Sequence, residues 1–164
     1  MSWAYFEEFE AGRMDVFGSY HFERDEVIRF ARAYDPQAFH LDDDAGRDSI
    51  FGRLAASGWH TTAGMMKCWS AHSFGLRARR AEQGLALPEI GPSPGIEALT
   101  WPRPVYPGDT VTYSGEVLSK RLLASRPRWG LVSSRIEGVN QDGAKVLSFI
   151  SKLMVERRAS GQLA

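Results

Sequence analysis

The chain has little cysteine and no excess of charge. Its 164 residues include one cysteine, Cys68, and its twenty basic and twenty acidic residues cancel. One cysteine excludes an internal disulfide and a cysteine-based metal site. Zero net charge gives no indication of a nucleic-acid or anionic-membrane partner, and it leaves little electrostatic barrier to self-association.

Long apolar runs are also missing. No stretch reaches the length that a membrane-spanning helix needs, and the first residues lack the basic and apolar segments of a signal peptide. We therefore expect a cytoplasmic protein. The length suits one domain with a sizeable core, which we predict to cover residues 1–164.

A short helix is predicted from Asp25 to Tyr34. Val27, Ile28 and Ala31 recur there at helical spacing. Pro36 disfavours the helical conformation for the residue before it, so the helix is expected to end at about Tyr34.

A longer apolar helix is predicted from Trp59 to Phe74, after a polar stretch at residues 35–56 that is predicted to be mainly loop. Ser57 is a suitable N-cap. Apart from Lys67, the segment is apolar on most faces, which is typical of a buried central helix.

The second half of the chain has the pattern of β-strands. Three segments alternate with a period of two: Thr110–Leu118, Trp129–Val139 and Val146–Val155. The Asp-Gly within Asn140–Gly143 predicts a hairpin between the last two. Strands that follow one another after a helix favour an α+β fold, with an antiparallel sheet wrapped around the long helix.

An acid/base pair lies just after the first predicted helix. Asp35 and His40 are five residues apart, and Ser57-Gly58 opens the long helix. A helix N-terminus presents unpaired amides and a positive dipole end, so it can stabilise developing negative charge. We predict that Asp35 and His40 are catalytic and that Ser57 and Gly58 contact the substrate.

Structural explanations of the same residues stay open at this stage. Asp35 can serve only to end a helix, and His40 only to bond a backbone carbonyl. Ser57 can be a cap alone, and Gly58 can be needed only for close packing.

Three segments together resemble the MaoC-like acyl dehydratases, the (R)-specific enoyl-CoA hydratases of the hot-dog fold. They are Asp35–His40, Ala56–His60 and Val105–Thr110. The similarity extends from about Phe22 to about Val155.

The family's hydratase signature is Asp-x-Asn-Pro-x-His, in which the Asp and the His form the catalytic pair. Asp35 and His40 match these two positions with the spacing intact. Gln37 and Ala38 stand where the signature has Asn and Pro.

The resemblance implies hydration of 2-enoyl-CoA thioesters and the reverse dehydration. His40 would take a proton from a water molecule that Asp35 helps to hold, and the Gly58 amide would stabilise the enolate. It implies no metal and no cofactor beyond coenzyme A as part of the substrate. Because the chain has one such unit, we expect at least a homodimer.

Two other functions remain open, a hot-dog thioesterase and a non-catalytic acyl-CoA-binding module. Such thioesterases commonly carry a carboxylate on the central helix, and no acidic residue occurs between Ser57 and Gly75. Retention of both Asp35 and His40 argues against the module.

Further residues allow two interpretations each. Three arginines can contact coenzyme A phosphates or form a solvated helix end: Arg77, Arg79 and Arg80. Three long apolar residues can belong to the core or to an acyl tunnel: Met65, Met66 and Trp69. No metal site is predicted at His60 and His72, because no third ligand stands near them in the sequence.

Overall fold

The computed structural model describes residues 3–158, so residues 1, 2 and 159–164 of the predicted domain lie outside the described residues. Three α-helices and five β-strands follow in chain order: β1 (Met14–His21), α1 (Arg24–Tyr34), α2 (Asp43–Arg47), α3 (Gly58–Glu82), β2 (Gly95–Thr100), β3 (Thr110–Leu122), β4 (Trp129–Asn140) and β5 (Lys145–Glu156). Short 3₁₀ turns occur at Phe6–Glu8 and Ala38–His40.

The five strands form one antiparallel sheet in the order β1-β3-β4-β5-β2. Hairpins join β3 to β4 and β4 to β5, and the second of these turns at the predicted Asp-Gly. β1 and β2 are the two edge strands. The short β2 pairs only with β5 among the described strands, and most of its residues are exposed.

Helix α3 packs into the concave face of this sheet. Tyr113 of β3 is fully buried, and its hydroxyl donates to the Thr61 carbonyl at 2.9 Å. Gly64 permits the close approach, since a Cβ there would lie 3.0 Å from the Tyr20 ring. A sheet curled around one long helix is the hot-dog arrangement, and the predicted fold is confirmed.

The prediction that α3 is buried on most faces was only half right. The helix continues to Glu82, and three large apolar side chains along it are exposed: Trp59 by 55%, Met66 by 52% and Phe74 by 63%. The sheet covers one side of the helix and leaves the other accessible. Within residues 3–158, no helix combines the length and the apolar character required to cross a bilayer.

Candidate active site

The loop after α1 brings Asp35 and His40 together. Asp35 caps the helix, with its amide bonded to the Ala31 carbonyl at 2.9 Å, and Pro36 directs the chain away from helical geometry. The 3₁₀ turn Ala38–His40 then folds the chain back. As a result His40 Nε2 and Asp35 Oδ2 lie 3.5 Å apart.

A buried segment, residues 54–57, runs beneath this loop. The Ala55 amide bonds the Phe39 carbonyl at 3.1 Å, and the Ala56 amide bonds the Val105 carbonyl at 2.8 Å. The Ala55 carbonyl in turn lies 2.7 Å from His40 Nδ1. The His40 ring, only 5% exposed, is thus held by the backbone of a neighbouring segment.

The contact to Ala55 determines the tautomer of neutral His40. A carbonyl oxygen can only accept, so Nδ1 carries the proton and Nε2 keeps its lone pair. That lone pair is 3.5 Å from Asp35 Oδ2, which is also an acceptor. Two acceptors so placed can each receive one O–H of a single water molecule.

Both oxygens of Asp35 are hydrogen-bonded. The Ser57 hydroxyl donates to Oδ2 at 2.7 Å, and the Gln37 amide donates to Oδ1 at 2.8 Å. Partial burial raises the pKa of Asp35, but these two bonds and the nearby His40 outweigh it. The pKa therefore lies below the usual value of an aspartate, and the carboxylate stays ionised near neutral pH.

Gln37 is a residue whose role the sequence did not reveal. It occupies a position where the family signature has Asn, and its side chain reaches the carboxylate of Asp35. The only sequence signal was its place inside the motif, two residues after the acid.

Ser57 is the N-cap of α3, as predicted. Its Oγ accepts a hydrogen bond from the Trp59 amide at 3.1 Å while donating to Asp35. None of the hydrogen bonds among residues 3–158 uses the amide of Gly58, the first residue of the helix. Gly58 also lines the pocket that contains Asp35 and His40.

The space beside the Gly58 Cα is occupied by Trp101. A Cβ built on Gly58 would lie 2.5 Å from Cδ2 of the Trp101 indole. Because residue 58 has no side chain, the Trp101 ring can pack against its Cα. Close packing, which the sequence left open as an explanation of Gly58, is therefore present at this position.

The pocket around the dyad has a volume of about 510 Å³. Four large aromatic side chains contribute to its walls: Phe39, Phe51, Trp59 and Trp101. Arg103 also lines it, and no ion pair within residues 3–158 engages that guanidinium. Sequence reasoning missed Phe51, Trp101 and Arg103 because they come from loops that no periodic pattern marks.

The three arginines considered for coenzyme A lie at the opposite end of α3. Arg77 is nineteen residues beyond Gly58, which corresponds to about 30 Å along a helix. Arg80 is bonded through both terminal nitrogens to Glu8 at 3.0 Å. Within one chain, these arginines are remote from the dyad.

The apolar residues of α3 that the sequence left unassigned line a cavity between the helix and the sheet. Met65, Met66 and Trp69 face it from the helix, and Ile136 and Phe149 face it from β4 and β5. Its volume is about 190 Å³. This cavity is separate from the pocket around the dyad.

His60 lies in an aromatic environment on the other side of the helix. Its ring stacks on Phe30 with centroids 4.5 Å apart, and Nε2 is 3.3 Å from the Tyr20 hydroxyl. That hydroxyl donates to Glu26, so its oxygen accepts from His60. The buried Nδ1 has no hydrogen-bond partner among the described residues.

Burial lowers the pKa of His60 to about 4, so the ring is neutral at physiological pH. His72 contacts Phe17 elsewhere in the fold. Within residues 3–158, no group of three or more His, Cys, Asp or Glu side chains is arranged to hold a metal ion.

Comparison with known families gives a match over most of the chain. The family model described as "MaoC like domain" matches residues 12–132, which include the dyad, all of α3, the first three strands and the start of β4. The chain belongs to the MaoC-like family. This agrees with the resemblance carried by the motif at Asp35–His40.

Individual relatives and solved structures cover nearly the whole chain. The crystal structure of a MaoC-like dehydratase from Rhodospirillum rubrum is 33% identical, covers 95% of this chain and 99% of its own, and superposes with a TM-score of 0.82. The uncharacterized protein YdeM of Bacillus subtilis (strain 168) is 27% identical over 92% of this chain and 98% of its own. The (R)-hydratase PhaJ1 of Pseudomonas aeruginosa shares the fold at 20% identity, with a TM-score of 0.65 over 98% of this chain and 93% of its own.

Proposed function

We propose that this protein is an (R)-specific hydratase of 2-enoyl-CoA thioesters, which also catalyses the reverse dehydration of 3-hydroxyacyl-CoA. The observation that carries the proposal is the 3.5 Å approach of His40 Nε2 to Asp35 Oδ2 in a pocket beside the start of α3. Membership in a family of dehydratases supports the reaction class.

The dyad is suited to handling one water molecule. His40 Nε2 accepts the proton of the attacking water as general base, and ionised Asp35 accepts the second O–H and orients it. The hydroxyl adds to the β-carbon. Protonated His40 then returns its proton to the α-carbon, so both groups arrive on the same face of the substrate.

Attack at the β-carbon moves negative charge onto the thioester oxygen. The Gly58 amide is a donor at a helix N-terminus that no acceptor among the described residues uses. A preorganised donor of this kind typically contributes about 10²–10³ in rate. We assign the enolate oxygen to this amide, with Ser57 holding Asp35 in place.

Arg103 is placed to contact a phosphate of the carrier, which coenzyme A and the phosphopantetheine arm of an acyl carrier protein both possess. Its exposed guanidinium lines the pocket, where it can bind a phosphate through paired hydrogen bonds. No cofactor is required by this mechanism, because the coenzyme A moiety enters as part of the substrate.

Incubation with crotonyl-CoA tests the proposal. We expect loss of the conjugated enoyl absorbance without release of free thiol, and the product to be (R)-3-hydroxybutyryl-CoA on chiral analysis. Thiol release without hydration would indicate the thioesterase instead. Inertness toward enoyl-CoAs of several lengths would favour a non-catalytic acyl-CoA-binding module.

The assembly is proposed to be a homodimer with the acyl pocket near the interface. Edge strand β2 exposes unpaired backbone groups, and Ile96 on it is 45% exposed. The side of α3 that the sheet does not cover also exposes apolar side chains, those of Trp59, Met66 and Phe74. A second copy of the chain would cover both features.

Light scattering after size-exclusion chromatography is expected to give the mass of two chains in dilute solution. Phe74→Glu should shift the protein toward monomer, because it places a charge on the uncovered face of α3, away from the cavity between the helix and the sheet. Met14→Glu is the matched control, since Met14 is 64% exposed on the opposite edge strand. A monomeric wild type would contradict the proposal.

A further inference from the structure

The indole of Trp101 covers the first turn of α3 at the edge of the catalytic pocket. It lies so close to Gly58 that a Cβ there would be 2.5 Å from the ring. Trp59 contacts the same indole edge-to-face, with centroids 5.1 Å apart. Both tryptophans line the pocket that contains Asp35 and His40.

A short chain of hydrogen bonds fixes this ring. Trp101 Nε1 donates to the Thr62 hydroxyl at 3.2 Å, and the Thr62 hydroxyl donates to the Gly58 carbonyl at 3.1 Å. Thr62 itself lines the apolar cavity between α3 and the sheet. The indole therefore lies at the boundary between the catalytic pocket and that cavity.

The backbone on which Trp101 sits is stiff. Trp101 immediately follows β2 and precedes Pro102, and Pro104 comes two residues later. Proline fixes its own φ and restricts the residue before it, so the sequence Trp-Pro-Arg-Pro has few conformations available. The backbone at Trp101 is therefore restricted, and we treat the indole as a fixed part of the pocket wall.

The cavity behind this wall would suit an alkyl chain. Its lining is mostly apolar, with Met65, Ile96, Ile136 and Phe149 among its residues. Access to it from the dyad would strengthen binding by about fourfold for each methylene buried. The indole lines the pocket of the dyad and is bonded to Thr62, which lines the cavity, so an acyl chain that passed from one to the other would have to displace or bypass the indole.

We propose that Trp101 closes the catalytic pocket against the apolar cavity and thereby restricts the enzyme to short-chain enoyl thioesters. This inference rests on the proposed hydratase function. It assigns to Trp101 a role in selecting the substrate, with no part in proton transfer.

The test is the dependence of kcat/KM on acyl length, measured with four-, six- and eight-carbon 2-enoyl-CoA. For the wild type we expect a fall of about tenfold or more from four to eight carbons. Trp101→Ala should raise the eight-to-four-carbon ratio of kcat/KM by about tenfold or more, and this ratio is the readout because it does not depend on how the variant changes turnover of the four-carbon substrate. Trp101→Phe keeps a ring at this position and should stay close to the wild type.

Two further variants keep the test decisive. Thr62→Val preserves the shape of the side chain but removes the acceptor for the indole, and it should raise the same ratio by a smaller factor even if Trp101→Ala fails to fold. Trp3→Ala is the control, because Trp3 bonds Ser73 far along α3 from the pocket, and its ratio should equal that of the wild type.

Failure of this inference and failure of the function give different results. An active wild type whose length ratio is unchanged in Trp101→Ala and Thr62→Val would overturn the role of Trp101 alone. A wild type that prefers the eight-carbon substrate would also overturn the role of Trp101 alone. Inactivity of the wild type on all three substrates would overturn the proposed function and the role of Trp101 with it.

Discussion

Asp35→Asn and His40→Gln are each expected to lower kcat/KM for crotonyl-CoA by about 10³-fold, the size typical of losing a general base. Asn at position 35 cannot accept through both of its terminal atoms, so the water loses its second anchor. Gln at position 40 offers an amide donor to the Ala55 carbonyl but no basic nitrogen. Initial rates over a range of substrate concentrations give the measurement.

In the proposed mechanism the two side chains act on one water molecule, so the losses in rate from the two substitutions should not add. We expect the double variant to be about as slow as either single variant. Asp25→Asn and His21→Gln are the matched controls, since they make the same chemical changes at exposed positions and should leave turnover unchanged. Near-normal turnover in either dyad variant, with a native circular dichroism spectrum, would remove that residue from the mechanism.

A second large effect is expected in the pH dependence of stability, through His60. Burial lowers its pKa to about 4 in the folded protein, against about 6.5 in the unfolded chain. Between these values the unfolded chain binds a proton that the fold excludes, so stability falls as the pH falls. The difference corresponds to about 3 kcal/mol of unfolding free energy lost by pH 4, a large fraction of a typical domain's stability.

Urea unfolding at several pH values between 7 and 4 measures this loss. His60→Phe preserves the stacking on Phe30 and removes the titrating group, so the variant should show a shallower decline than the wild type over that range. Other buried groups titrate in both proteins, and the difference between the two curves isolates His60. Parallel curves would refute the assignment, and His21→Gln, at an exposed site, should follow the wild type.

The elements predicted best from the sequence are those with a strong period. Helix α1 begins one residue before its predicted start and ends at Tyr34, where Pro36 required it. The three long strands lie where alternation placed them, because each has one face against α3 and the other facing away from it. The spacing of apolar residues in the sequence indicates which side chains are buried. In these elements the buried side chains recur at regular intervals, so the spacing predicts them.

Strand β1 was not predicted, and its burial explains why. Phe17 is the only buried residue in Met14–His21, since the strand lies at the edge of the sheet. Phe17 is skipped in the pairing with β3, just before Gly18 with its φ of +125°, so even the register shifts within the strand. An exposed and irregular strand leaves little periodic signal.

The candidate site, like the fold, was predicted only in part from the sequence. Asp35, His40, Ser57 and Gly58 were found because they lie in short motifs whose spacing has a chemical meaning. Trp101 was not among the predicted site residues, because it contacts Gly58 across forty-three residues of sequence. A single sequence carries no record of which distant side chains meet, so contacts of this kind become visible only with the fold.

The Ser57 hydroxyl has a consequence for how this protein can change. One oxygen atom holds the Trp59 amide and the Asp35 carboxylate together. Loss of the cap would weaken the start of α3 by about 1 kcal/mol and release the carboxylate in the same step. A substitution of Ser57 is therefore expected to change the stability of α3 and the position of the Asp35 carboxylate together.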